Sequence, residues 1–532
     1  MRPTPNAVVC TDLGFDWPDG STVLDGLDLT FGPGRTGVVG RNGGGKSTLL
    51  RLIAGELVPL RGTISRAGDV GYLPQQLPLD TARTVAGLLG IEARLAALRA
   101  ITAGDAASEH FTVLDDDWEV ETRSLETLAR VGAPSGDPAV LDRPVGTLSG
   151  GEAILVGLAG LLVRRPAISV LDEPSNNLDR RARGLLHDAV DTWPGVLVIV
   201  SHDRELLERV DAIVELRDGV ARTVGGPFSA FAATVAAEQE TAARLVRAAE
   251  GDLAREQRQL VEAQTKLARR QRTARKAELE KRVPKIVAHG RRQQAQVSAG
   301  KHRLLHEGRL DDARTALAEA ELAVRDDRTI RVELPATAVP AGRTVLEVGD
   351  LVLRGPERVA LTGPNGAGKT TLLDAIAGRR PHPTEPVAAP PVPVGYLPQR
   401  LDGLREDRSV LDNVRAVAPH ATPQQVRAGL ARFLVRGDRV DQVAGTLSGG
   451  ERFRVTLACL LLADPAPQLL LLDEPTNSLD LDSVGQLTQA LAGYRGALLV
   501  VSHDESFLAD IGVTRRWAVT GIRLPTEEDD SA

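Results

Sequence analysis

At 532 residues, 42% hydrophobic and 25% charged, the chain has the make-up of ordinary soluble globular protein and room for about three or four domains. No uncharged apolar run reaches the roughly 18 residues of a membrane span; the longest, ILVGLAGLLV at 154–163, ends at Arg164, which excludes a bilayer-crossing helix. MRPTPNAVVC has no apolar stretch of the kind a secretory signal needs, so the cytoplasm is the expected compartment, and Cys10 and Cys459, without metal-ligand spacing, read as buried small apolar residues.

The predicted elements come twice. A buried strand, TGVV, leads into GRNGGGKST at 40–48; GYLPQ ends at Gln75; LSGGE spans 148–152; AISVL runs into Asp172 and Glu173; SNNLD spans 175–179; GVLVIV leads to SHD at 201–203. Later, RVALT leads into GPNGAGKTT at 363–371; GYLPQ ends at Gln399; LSGGE spans 447–451; LLLLL runs into Asp473 and Glu474; TNSLD spans 476–480; ALLVV leads to SHD at 502–504. Six motifs repeated in one order describe a tandem of homologous nucleotide-binding halves. The spacing from Gln75 to Gln399 is 324 residues but from Ser149 to Ser448 only 299, so the first half carries about 25 extra residues. Leu and Ala at helical spacing there, broken by the acidic loop Asp115, Asp116 and Asp117, predict a helical arm at about 85–140.

Between the halves, Val246, Leu253, Leu260 and Leu267 recur every seven residues, as do Leu310, Leu317 and Val324, with Pro284 and Gly290 interrupting. This predicts an antiparallel helical hairpin with arms of some 50–70 Å. From Ala263 to Leu310 there are 14 Lys or Arg and 3 Glu, although the whole chain has a formal net charge of −7. The positive charge therefore gathers at the far end of the hairpin, where Lys281, Arg282, Lys285, Arg291, Arg292, Lys301 and Arg303 are candidate contacts to a polyanion. With no aromatic ring in the segment to stack on single-stranded bases, folded RNA is the expected partner.

Each glycine-rich loop follows a strand and opens a helix, so its backbone N–H groups and the helix N-terminus face phosphate. The candidate ATP-binding residues are Gly40, Arg41, Asn42, Gly43, Gly44, Gly45, Lys46, Ser47 and Thr48 in one half. In the other they are Gly363, Pro364, Asn365, Gly366, Ala367, Gly368, Lys369, Thr370 and Thr371. Lys46 and Lys369 reach the β and γ phosphates; Ser47, Asp172, Thr370 and Asp473 are candidate Mg²⁺ ligands, with Gln75 and Gln399 reaching the metal or the attacking water. A second carboxylate beside each metal-holding one, Glu173 and Glu474, points to hydrolysis, and His202 and His503 to contact with the γ-phosphate.

This constellation resembles the ATP-binding cassette superfamily over about four fifths of the chain. The resemblance implies that LSGGE of one cassette caps the nucleotide of the other: Ser448, Gly449 and Gly450 over the ATP on Lys46, and Ser149, Gly150 and Gly151 over the ATP on Lys369, with closure inside one chain and a monomer as the unit. It also implies an aromatic ring against adenine; Trp17 in LGFDWPDG fits in the first cassette, or packs in its core, and the second has none, Ala232–Val394 being free of Phe, Tyr and Trp. The second cassette looks shortened by a hairpin, and Ala153 follows the first LSGGE where Arg452 follows the second, so two competent but unequal sites are expected.

Paired cassettes, the arm and the charged linker are similar to the ABC-F subfamily of ribosome-associated ATPases. That resemblance implies a linker inserted in the ribosomal E site near P-site tRNA and the peptidyl-transferase region, under control of ATP, in a translation factor or in a protein displacing ribosome-targeting antibiotics. The expected fold class is α/β, two P-loop ATP-binding cassette domains joined by an antiparallel α-helical coiled-coil linker. The expected boundaries are 1–230 for cassette 1, 231–330 for the linker, 331–524 for cassette 2 and 525–532 for a disordered acidic tail. The alternative is the ATPase subunit of a transporter with a separate permease, in which a long basic hairpin has no place. A DNA-handling ATPase is disfavoured by the lack of zinc-type cysteines and of aromatic interleaving.

Overall fold

The computed structural model describes residues 7–75, 83–176, 178–217, 219–279, 305, 308–321, 330, 332–400, 403–477, 479–521 and 523–527. The first half runs β1 (Val8–Asp16), β2 (Thr22–Phe31), β3 (Gly34–Val39), β4 (Arg61–Arg66), β5 (Val70–Leu73), β6 (Ile168–Asp172), β7 (Val196–Val200), β8 (Ala212–Arg217) and β9 (Val220–Gly225). A three-stranded antiparallel sheet, β2-β1-β4, accompanies a six-stranded one ordered β5-β6-β7-β3-β8-β9. In the larger sheet only the β8–β9 pairing is antiparallel.

The second half runs β10 (Thr344–Val348), β11 (Leu351–Arg354), β12 (Arg358–Thr362), β13 (Val394–Leu397), β14 (Leu469–Asp473), β15 (Ala497–Val501), β16 (Arg515–Ala518) and β17 (Thr526–Glu527). Its main sheet, β13-β14-β15-β12-β16-β17, repeats the wiring of the first. Its antiparallel sheet has two strands, β10 and β11, against three in the first half, which corrects the expected loss of a hairpin: the two strands leading into the P-loop are present but shorter, and the strand without a counterpart is β4, after the P-loop helix. One expectation is corrected: the stretch from 525 is not wholly a disordered tail. Thr526 and Glu527 pair with Ala518 and Trp517, and Glu527 meets Arg515 at 2.8 Å, so the cassette sheet extends into it.

The inner strands account for the visibility of the motifs in the sequence. β6, β7, β14 and β15 are buried at every residue, as expected of parallel strands covered on both faces and therefore written as unbroken apolar runs. The P-loops, Gln75 and Gln399, the Asp-Glu pairs and the SHD segments all lie at the carboxyl ends of parallel strands, where the crossover turns gather at one edge, whereas LSGGE follows a short 3-10 turn and opens a helix.

In the first half the inserted residues fold as helices Glu92–Thr102, Ser108–Leu114 and Val120–Arg130 around buried Leu95, Leu114 and Leu128. Arg99 ties them down through Glu121 at 3.1 Å and Asp142 at 2.8 Å. The acidic loop turns through Asp115 and Asp116 with φ of 52° and 57°, the left-handed region in which Asp is among the more tolerant residues.

The segment Ala230–Arg328 is a unit of its own. A helix of 52 residues, Phe228–Leu279, is about 80 Å long, and residues 308–321 are helical. The seam expected from the heptads is visible in burial: Ala242 is buried, Val246, Ala249, Leu253 and Glu256 are half-buried between exposed neighbours, Leu260 is half-buried beside Gln259, and Leu310, Ala313, Leu317 and Ala320 repeat the spacing of three and four. Pro284, Gly290, Val324 and the seven basic candidates from Lys281 to Arg303 lie outside the described residues. No helix among the described residues is long and apolar enough to cross a membrane. Cys10 is buried and Cys459 partly so, burial pushing their thiols up to about 11 and about 12.

All four tryptophans, Trp17, Trp118, Trp193 and Trp517, lie outside the linker, which makes the linker testable alone. Leu253→Asp combined with Leu317→Asp should lower ellipticity at 222 nm by opening the seam, while the thermal midpoint read by tryptophan fluorescence moves by no more than about 2 °C.

Candidate functional site

The loop after β3 turns back at Gly40 and that after β12 at Gly363, with φ of 154° and 139°. A Cβ there would stand 2.2 Å from the Leu216 carbonyl oxygen or 2.4 Å from that of Val519, so only glycine fits at these two corners. Each loop then wraps its own lysine. Lys46 Nζ donates to the carbonyls of Gly40 and Arg41 at 2.7 and 2.9 Å, and Lys369 Nζ to those of Gly363 and Pro364 at 2.6 and 3.1 Å. Burial pushes both ammonium groups below the usual lysine range.

Two cavities result. One, of ≈ 320 Å³, is lined by Trp17, Val23, Asn42, Gly43, Gly45, Lys46, Ser47, Thr48, Gln75, Asp172, Glu173, Asn176, Val200 and His202. The other, of ≈ 340 Å³, is lined by Asn365, Gly366, Ala367, Gly368, Lys369, Thr370, Thr371, Gln399, Asp473, Glu474, Asn477, Val501 and His503, with Leu178 from the first half. The first has Trp17 at its mouth, edge-on to Phe15 at 5.1 Å, and the second has no aromatic lining.

The carboxylates close each cavity at the strand ends. Burial pushes Asp172 and Asp473 above the usual carboxylate range, Glu173 up to about 8 and Glu474 to about 7. Both glutamates adopt left-handed backbone, with φ of 50° and 45°, and their N–H groups donate across to Val200 and Val501 at 2.8 Å. A non-glycine residue held there costs on the order of 1 kcal/mol, and its appearance at the same motif position in both halves marks a conformation kept for use. His202 Nε2 stands 3.2 Å from Glu173 Oε1, and His503 Nε2 3.3 Å from Glu474 Oε1. Burial pushes these imidazoles down to about 3 and about 4, which keeps them neutral.

The two halves reach into one another. Asp480 caps its own helix at Ser483 N with one oxygen, at 2.9 Å, and with the other accepts from Asn42 N of the first half at 2.8 Å. Arg41 Nε meets Asp482 at 3.2 Å, and Arg204 meets Asp510 at 3.0 Å. The sequence displays SNNLD and TNSLD plainly, yet nothing in the spacing says that their aspartates act across to the other half.

The signature residues are placed differently from the loops. Ser149 and Ser448 are the N-caps of helices Gly150–Arg164 and Gly449–Leu461, each in a capping box with Glu152 or Glu451. They are exposed, and with Gly150, Gly151, Gly449 and Gly450 they line neither cavity. Gly40, Arg41, Gly44, Gly363 and Pro364 shape the loops without lining the cavities.

The ABC transporter family profile matches residues 24–176 and 348–477, more than half of the chain. The chain belongs to the ATP-binding cassette family. Within it, the chain is 35% identical to the tylosin resistance ATP-binding protein TlrC of Streptomyces fradiae, over 95% of this chain and 96% of that one. It is 30% identical to the energy-dependent translational throttle protein EttA of Mycobacterium tuberculosis, over 91% and 87%. These relatives place it in the ABC-F subfamily, as a tandem-cassette ATPase. The fold is shared, at 20% identity and a TM-score of 0.54, with an archaeal ribosome recycling factor, aABCE1, crystallised with ribosomal stalk protein aP1, over 98% of this chain and 96% of that one.

Whether Mg²⁺ suits these cassettes is tested by the donor set. Asp172 Oδ1 and Asp473 Oδ2 are buried without a hydrogen-bond partner among the described residues, and the hydroxyls of Ser47 and Thr370 lie beside these carboxyls. Hard oxygen donors left unsatisfied at the cavity floor fit a small divalent cation.

Two outcomes follow. Folded Glu474 holds its proton up to about pH 7, whereas the unfolded chain releases it near 4.5, so folding stability falls as pH rises between those values. In EDTA without nucleotide, Glu474→Gln should match wild type at pH 5 and exceed it by about 3 kcal/mol at most at pH 8, read as a melting-temperature gap of roughly 5 °C. Trp17→Ala should weaken ATP at the first cassette about tenfold, so that a two-site calorimetric isotherm collapses toward one affinity.

Proposed function

We propose that this chain is a ribosome-binding ATPase in which ATP draws the cassettes together and the closed form presents the linker to structured RNA, and that its role is protection of the ribosome from a macrolide antibiotic. The observation that carries the reading is the pairing, in one chain, of two nucleotide cavities with a separate helical unit, within whose sequence the positive charge is concentrated. The protective role is favoured over throttling of translation by length as well as identity: the tylosin resistance relative matches over 96% of its length and the throttle protein over 87%.

In this reading Lys46 and Lys369 turn from loop carbonyls to phosphate oxygens, with Asn42, Gly43, Gly45, Ser47, Thr48 and their counterparts Asn365, Gly366, Ala367, Gly368, Thr370 and Thr371 around the chain of phosphates. Ser47 and Asp172, and Thr370 and Asp473, hold Mg²⁺, with Gln75 and Gln399 beside them. When bound, the cation neutralises phosphate charge and lets the buried carboxylates ionise. Glu173 and Glu474 then orient and polarise water toward the γ-phosphate while the neutral imidazoles of His202 and His503 donate to it. Closure brings Ser448, Gly449 and Gly450 over the first site, and Ser149, Gly150 and Gly151 over the second. The linker of residues 231–330 contacts rRNA and tRNA through Lys281, Arg282, Lys285, Arg291, Arg292, Lys301 and Arg303.

Glu173→Gln with Glu474→Gln should co-sediment with ribosomes in ATP; a double variant that binds ATP and stays in the supernatant contradicts ribosome binding. Log affinity should fall against log salt with a slope of roughly −4 to −7, flattened by neutralising the linker cations. Expression in a sensitive host should raise the inhibitory concentration of tylosin several-fold. Slowed translation without any gain in resistance would assign the throttling role instead.

A further inference from the structure

Repeated motifs direct attention to what the halves share, and the interface between them turns on a residue they do not share. Arg183 lies one turn into the helix Arg180–Asp191, which Asp179 caps. It is largely buried, with 13% of its side chain exposed. Its Nη1 donates to the main-chain carbonyl of His503 in the second cassette at 3.3 Å and stands 3.8 Å from Asp203 Oδ2 of its own. His187, one turn further on, places Nε2 3.5 Å from the same Asp203 oxygen. A guanidinium is thus buried between the loop after β7, which carries His202, and the loop after β15, which carries His503. The mirror position is apolar. Counting from the capping aspartates, Val484 replaces Arg183 and Thr488 replaces His187, although Asp504, the counterpart of Asp203, caps its helix at Phe507 N as Asp203 does at Glu205 N and Leu206 N.

We infer that Arg183 is a positioning residue of the second ATP site, supplied by the first cassette and without a counterpart at the first site. Arg183 Nε and Asp203 Oδ2 are buried without hydrogen-bond partners among the described residues, so the bond from Nη1 to the His503 carbonyl is the contact that ties the guanidinium to the His503 loop, and losing it would leave a further buried donor unmatched. That loop sets His503 Nε2 at 3.3 Å from Glu474 and 3.4 Å from Lys369 Nζ, the two groups nearest the reacting phosphate in the proposed chemistry. Asp203, adjacent to His202 of the first site, faces the same guanidinium at 3.8 Å as its counter-charge, and this ion pair links the state of the first site to the second.

The test is steady-state ATP turnover by the full chain carrying Arg183→Met, once with Glu173→Gln, which leaves the second site active, and once with Glu474→Gln, which leaves the first. In the former, kcat should fall about tenfold with KM held within twofold, and in the latter both constants should stay within twofold. Arg183→Lys, which keeps the charge, should recover part of the loss. Equal losses in both backgrounds, or none in either, overturn the inference. Should Arg183→Met fail to fold, Arg183→Lys is read alike: about a threefold loss confined to the second site supports it, and a uniform loss or none defeats it. The inference rests on the roles given to Glu173 and Glu474. If either glutamine parent turns over like wild type, or not at all, those roles or the independence of the sites have failed, and Arg183 is judged in otherwise wild-type protein. There, a lower kcat at fixed KM that lysine partly restores supports it, while unchanged turnover or an effect on KM alone overturns it.

Discussion

Two carboxyl groups and an ammonium held at the end of a wholly buried strand are the constraint around which each cassette is built. Asp172, Glu173 and Lys46, like Asp473, Glu474 and Lys369, are each less than a tenth exposed. Burial disfavours the charged form of all six, and the fold manages this by letting loop carbonyls surround each lysine and by leaving protons on the glutamates. The result is a cavity whose polar groups are mismatched with one another and matched to what enters: phosphate for the ammonium, a divalent cation for the aspartates. Binding and folding energies are coupled here, because a ligand that satisfies these groups also relieves what the empty fold bears.

The second constraint is that the cassettes meet at both sites, although only the second cavity takes a lining residue from the other half. Leu178 lines the second cavity, and Asp480 accepts from the P-loop of the first. The signature serines, by contrast, face solvent with their hydroxyls engaged in capping boxes. The loops after β6 and β14 already interlock while the signature helices stand apart from the cavities, so contact between the cassettes is graded rather than all-or-none.

Much of this was legible before any coordinate. Fully buried parallel strands are written as unbroken apolar runs, so AISVL and LLLLL located Asp172 and Asp473 at strand ends, and the heptads at Leu253 and Leu317 foretold the seam. The short lead-in to GPNGAGKTT reappears as the shortened strands β10 and β11, whereas the lack of a counterpart to β4 falls after the P-loop helix, where no motif marks it. Less visible were relations between distant residues: Asn42 with Asp480 lies across 438 positions, and no local spacing announces it. Comparing the two copies for their agreement also hid Arg183, whose meaning comes from Val484 being unlike it. The tail departs from expectation because TEEDD is acidic and short, yet two of its residues complete a sheet edge through Trp517 and Arg515.

A homodimer built from one cassette would be bound by its twofold axis: whatever residue stands at one interface must stand at the other, and both chambers would fire alike. Fusing the copies into one polypeptide lifts that restriction. Arg183 at one position and Val484 at its mirror is the kind of broken symmetry such a chain can accumulate, and in the proposed scheme it gives an otherwise reversible clamp a direction, one chamber serving as a clock for the other.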